Sequence, residues 1–170
     1  MTATLSRGRE AENGVYTVER LTDPDRIRER LLPDRAYSAY AIAQLEPRRF
    51  PLTEWYAAAG PAGRALVLHS RSGLGHALFA TGDPDALDAA LSLHPGPRFT
   101  FGSMRQEHKR AIEKYFFVTR RQEMARMAVT AASFARVGGP AVRLTGSDIA
   151  AVNRLYSTEG GRTSYRPEHL

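Results

Sequence analysis

The sequence predicts an α+β fold, built on a mixed, mostly antiparallel sheet with flanking helices. Three observations carry that prediction. Two Asp-Pro pairs, Asp23-Pro24 and Asp83-Pro84, open helices. Aspartate caps the free N–H groups there, and proline fills the first helical position, where its missing N–H costs nothing. Between the two pairs lie three apolar runs, Trp55 to Ala59, Ala65 to His69 and Ala77 to Ala80. They read as strands joined by turns at Gly60-Pro61-Ala62-Gly63 and at Ser70 to Gly75. Beyond them helical and strand patterns alternate, and a meander followed by such alternation is the pattern of an α+β domain.

Taken in order, residues 1–22 show no period and read as a loose arm, with Val15 to Val18 able to add an edge strand. After Asp23-Pro24, Ile27, Leu31 and Leu32 form a buried stripe. Pro33-Asp34 breaks and restarts the helix, and Tyr37, Tyr40, Ala41, Gln44 and Leu45 share a face of its continuation, which Glu46-Pro47 ends. After Asp83-Pro84, Leu87, Ala90 and Leu91 face inward until His94-Pro95-Gly96-Pro97 stops the helix. Arg98 to Phe101 reads as a strand, residues 106–117 as a helix with Ile112, Tyr115 and Phe116 inward, and Glu123 to Thr130 as a last strand. The expected core is Tyr40, Leu45, Val67, Leu68, Leu78, Phe79, Leu87, Leu91, Ile112 and Phe116.

A second segment begins late. Val142 to Leu144 suits a short strand, and Thr145-x-x-Asp148 is the pattern of a capping box ahead of a helix whose Ile149, Val152, Leu155 and Tyr156 recur at helical spacing. Ser164 to Leu170 resembles the first turn of another helix, with Pro167 in an early position. The expectation is a leading fragment of something longer. It comprises an arm (1–22), a domain (23–132), a linker (133–141) and the beginning of a second domain (142–170).

Composition narrows the function classes. With 170 residues, 42% hydrophobic and 25% charged, the chain can bury a core without staples. It has no cysteine, which excludes disulfides, thiolate metal sites and a cysteine nucleophile. No apolar run reaches the roughly 18–20 residues of a membrane span, and Met1 to Asn13 lack the apolar centre of a signal peptide. A cytoplasmic, bacterial-type protein that does not engage a membrane is the simplest expectation.

The net charge of +6 is concentrated: residues 98–126 hold eight basic and three acidic side chains, together with Phe99, Phe101, Tyr115, Phe116 and Phe117. Basic side chains interleaved with aromatics suit single-stranded nucleic acid or the phosphates of a cofactor. The plainer reading, and the one expected here, is a strand and a helix with aromatic core faces and solvated arginines. A structural or dimerising domain is the third possibility.

No catalytic constellation assembles. His69, His76, His94, His108 and His169 lack metal-ligand spacing, and His69 and His76 read as a surface pair across a hairpin. The serines lack a nucleophile elbow. Gly73-Leu74-Gly75 leads into a strand rather than the helix that a phosphate loop needs. Asp83, Asp85 and Asp88 suit a helix start, and Glu107 and Glu113 suit surface ion pairs. Tyr37, Tyr40, Trp55 and Tyr165 are the candidates for lining a substrate cleft, with burial in a core as the competing role. Catalytic, cofactor and metal residues are not identified.

The segments Asp34 to Pro47, Glu54-Trp55, Leu78 to Asp83, Arg126-Met127, Arg143-Leu144-Thr145 with Asp148, and Leu155-Tyr156 are individually short. Together they resemble the GNAT family of N-acetyltransferases, in the class with an extra domain before the catalytic one. The resemblance implies that residues 23–132 are a degenerate acetyltransferase-like domain. The parent enzyme would move acetyl from acetyl-CoA to a small-molecule or peptide amine. The family's pyrophosphate signature, Gln/Arg-x-x-Gly-x-Gly/Ala between a strand and a helix, is absent. On that reading no cofactor is expected on this chain, its partner is the catalytic domain, and the chain by itself is inactive.

Overall fold

The computed structural model describes residues 2–4, 16–72, 75–135, 138–139, 141–158 and 165–167. The chain divides into two compact units, Met1–Ala128 and Val129–Leu170.

The first unit has the predicted α+β architecture. Six strands form one sheet in sequence order: β1 (Thr2–Thr4), β2 (Thr17–Leu21), β3 (Thr53–Gly60), β4 (Gly63–Ser72), β5 (Gly75–Gly82) and β6 (Phe101–Ser103). All neighbours are antiparallel except β5 and β6, which are parallel because helix α3 (Pro84–Leu93) crosses between them. Helices α1 (Pro24–Leu31) and α2 (Arg35–Ala43) intervene between β2 and β3, and α4 (Lys109–Glu113) follows β6.

Side-chain alternation along the strands explains why adjacent residues are both buried. Trp55 pairs with Leu68 and Ala57 with Leu66, and these pack with Ile27, Leu31, Ala41, Leu45 and Phe79 under α1 and α2. The intervening pairs, Tyr56 with Val67 and Ala58 with Ala65, pack with Leu78, Leu87, Leu91 and Ile112 under α3 and α4. The sheet is therefore covered on both faces, and its central strands read as continuous apolar runs. Of the ten expected core residues, eight are buried; Tyr40 and Phe116 are half-buried and pack against the core.

Several expectations need correction. Residues 17–21 are not part of a loose arm: β2 pairs with β1 on one side and β3 on the other, burying Val18 and Leu21. Glu123 to Thr130 is not a strand, although its sequence alternates, because it pairs with no strand among the described residues. The helix expected over 106–117 contracts to a 3-10 turn and the five residues of α4, leaving Phe117 beyond its end. The strand over Arg98 to Phe101 shifts to Phe101–Ser103.

The turn proposed at Gly73 and Leu74 lies outside the described residues, though Ser72 pairs with Gly75 as a hairpin requires. Gly82 closes β5 at φ 107°, and a Cβ there would meet the Arg64 carbonyl oxygen at 2.1 Å. Only glycine suits that turn.

In the second unit, helix α5 (Ile149–Thr158) starts where the capping pattern placed it. The Asp148 carboxylate accepts from the Thr145 N–H at 2.8 Å and from the Thr145 hydroxyl at 3.0 Å. Those bonds hold its carboxyl below the usual range. Val142 to Leu144 carry no strand, and of the final helical turn only Tyr165 to Pro167 are described.

Candidate functional site

Three of the four cleft candidates come together on the α1–α2 face. Trp55 is fully buried, and its indole N–H donates to Thr53 Oγ1 at 2.7 Å, so it is a core residue. Tyr40 shares a 3.0 Å hydrogen bond with Ser70. Tyr37 packs on Phe79 at 5.0 Å between ring centroids and donates its hydroxyl to the Ala80 carbonyl at 2.8 Å. Burial pushes that hydroxyl up to about 12. Tyr165 belongs to the second unit, where it lies 4.8 Å from Tyr156 and exchanges backbone hydrogen bonds with the Asn153 amide.

The sequence reading missed what surrounds Tyr37. The Arg105 and Arg126 guanidinium carbons lie 4.6 and 5.3 Å from its ring centroid. Arg105 is paired with Asp34, while Arg126 donates to the Tyr37 carbonyl and, at 3.4 Å, to Ser103 Oγ. These arginines come from after β6, and no spacing in the sequence ties them to α2.

The opposite face carries an unexpected polar group. His69 is 5% exposed, not a surface residue, and it pairs with Leu78 rather than with His76. Its Nε2–H donates to the His94 carbonyl at 2.9 Å, so the neutral ring leaves Nδ1 as an acceptor, and that atom has no partner among the described residues. His94 stacks on Tyr56 at 3.7 Å, and the Tyr56 hydroxyl donates to Glu54 at 3.1 Å. Among the described residues no three His, Asp or Glu side chains gather to hold a metal.

The β5–α3 junction is where a strand enters a helix, the setting in which a pyrophosphate loop would lie. Here the helix-start donors are already used. Asp83 Oδ1 accepts from the N–H groups of Asp85 and Ala86, each at 3.0 Å, and Pro84 has none to offer. The Gly82 carbonyl accepts from His108 Nε2 at 2.9 Å, while His108 Nδ1 takes the Arg105 N–H at 3.3 Å. A carboxylate at the helix end, with its donors engaged, does not fit a pyrophosphate.

The 98–126 stretch departs from its expected packing. Tyr115 and Phe116 are half-buried against the core, but Phe99, Phe101 and Phe117 are 81%, 73% and 92% exposed. The reason is geometric: β6 has three residues at the sheet's end, and α4 stops before Phe117. Among the described residues no helix is long and apolar enough to cross a membrane. No protein family, curated protein or solved structure matches the chain.

Proposed function

We propose that the first unit is a degenerate acetyltransferase-like domain serving a GNAT-type enzyme that transfers acetyl from acetyl-CoA to an amine. Acetyl transfer needs a deprotonated amine and N–H donors aimed at the thioester carbonyl. On this reading those functions belong to a catalytic domain, and the present unit supports the acceptor side without holding the cofactor. Two features support it. The order two strands, two helices, three antiparallel strands, crossover helix, parallel strand and helix is that of a mixed sheet flanked on both faces. The carrying observation is the β5–α3 junction, which keeps the strand-to-helix geometry while Asp83 occupies its donors.

Calorimetric titration of this chain with acetyl-CoA tests the reading. No saturable heat is expected; tight one-to-one binding competed by free coenzyme A would overturn it. Sequencing the gene beyond the Leu170 codon tests the other half. A Gln/Arg-x-x-Gly-x-Gly/Ala run between a strand and a helix is expected, and a downstream sequence without one removes the acetyltransferase assignment.

A further inference from the structure

We propose that the surface around β6, from Arg98 to Arg126, binds single-stranded nucleic acid. This goes beyond the acetyltransferase reading and does not depend on it.

The first support is the exposed aromatic pair. Phe99 and Phe101 turn most of their surface to solvent on the last strand of the sheet and the residues leading into it. Single exposed apolar residues are ordinary. Two phenylalanines two positions apart, with Phe117 further along the same stretch, expose planar ring faces that a folded core would otherwise use. Every base has a π-face that can stack on such a ring. The Arg98 guanidinium lies 5.8 Å from the Phe99 centroid, so a cation accompanies the first ring.

The second support is charge that the protein does not neutralise itself. The three acidic residues of the stretch are each taken: Glu107 by Arg105 at 3.9 Å, Glu113 by Lys109 at 3.1 Å and Glu123 by Arg121 at 3.0 Å. Lys114 reaches Asp88 at 2.6 Å. Arg98, Arg110 and Arg120 have no carboxylate partner among the described residues.

Third, the chain beyond α4 returns to β6. Arg121 donates to Gln106, and Arg126 donates to Ser103 at 3.4 Å, which brings this cationic segment beside the strand that carries Phe101. Unpaired cations call for an anionic partner, and bare ring faces call for a planar one. A phosphate alone would leave the rings unused, and an uncharged protein surface would leave the arginines uncompensated. Single-stranded nucleic acid meets both needs, whereas a duplex hides its base faces.

Fluorescence anisotropy on the 170-residue protein decides the matter, with labelled dT20 and rU20 against a 20-base-pair duplex at about 150 mM salt. The expected result is a Kd below about 1 µM for a single strand and binding at least about tenfold weaker to the duplex. Phe99→Ala with Phe101→Ala should weaken single-strand binding by about tenfold or more. Arg98→Ser with Arg120→Ser should flatten the salt dependence. These side chains are exposed, so circular dichroism of the variants should match the parent. Equal affinity for duplex and single strand, or affinity unchanged by the phenylalanine pair, would overturn the proposal. So would the absence of oligonucleotide binding with concentration-dependent self-association lost in the phenylalanine variant, which would make the face a protein contact.

Discussion

His69 carries a pH dependence that its surroundings define. Burial pushes it below the usual 6.5, and the hydrogen bond to the His94 carbonyl, with the Glu54 charge opposite, only partly offsets that. His94 is displaced in the same direction, mainly by burial, while Arg20 adds to the effect and Glu54 opposes it. The folded protein therefore prefers both rings neutral. As pH falls through about 6.5 the unfolded chain takes up protons first, so stability is full above that value and is lost toward the lower folded values. Urea denaturation at pH 7.5 and 5.5 should show the midpoint falling with acid, with a shallower fall in His69→Gln. A wild-type midpoint that is flat or rises on acidification would show that His69 is not held neutral. Gly96 belongs to the same arrangement: a Cβ there would lie 2.3 Å from the His69 ring, which is why the helix stop that Gly96 helps to form takes no larger residue.

At the scale of elements, the β5–α3 corner depends on two neighbouring residues for different reasons. Asp83→Ala removes a cap that satisfies two N–H groups and should cost about 1 kcal/mol. Gly82→Ala forces an L-residue into a positive φ against the Arg64 carbonyl, and should cost more than about 2 kcal/mol. Thermal unfolding of both variants checks the ranking, and an Asp83 variant less stable than the Gly82 variant would reverse the argument. That corner was legible in the sequence because caps and turns are local chemistry. Asp23, Asp83 and Asp148 each act within three residues of their own position. Strand β2 was legible only in part: an edge strand was allowed over Val15 to Val18, but Val18 and Leu21 among Thr17, Glu19 and Arg20 give little period, and pairing with β1 and β3 makes it an internal strand. The converse error at 123–130 has the same origin, since alternation signals a strand only where a partner edge exists. For Trp55 the cleft and core roles both stayed open, because nothing in the sequence shows that both sheet faces are covered; its burial selects the core. The arginines on Tyr37 were invisible because a contact between Tyr37 and Arg126 spans most of the unit.

At the scale of the whole chain, the two units differ in what holds them. In the first, each large apolar side chain buried under the helices contributes about 1.5–3 kcal/mol, and the two packed faces share one sheet. In the second, none of the described residues is buried; Leu155 is 60% exposed and Tyr156 45%. Helix α5 has ten residues, and isolated helices shorter than about 12–15 residues are marginal in water. The Thr145–Asp148 cap adds local support but no core. Amide hydrogen exchange on the intact chain should separate the units. Amides of β3, β4 and β5 should exchange only through global unfolding, with protection that falls along with the denaturant-measured stability. Amides of residues 149–158 should exchange close to the rate of a free peptide and be insensitive to Gly82→Ala, which weakens the first unit. Protection of α5 equal to that of β4, lost in step with it in the Gly82 variant, would mean that the chain folds as one cooperative body and that the apolar face of α5 is covered.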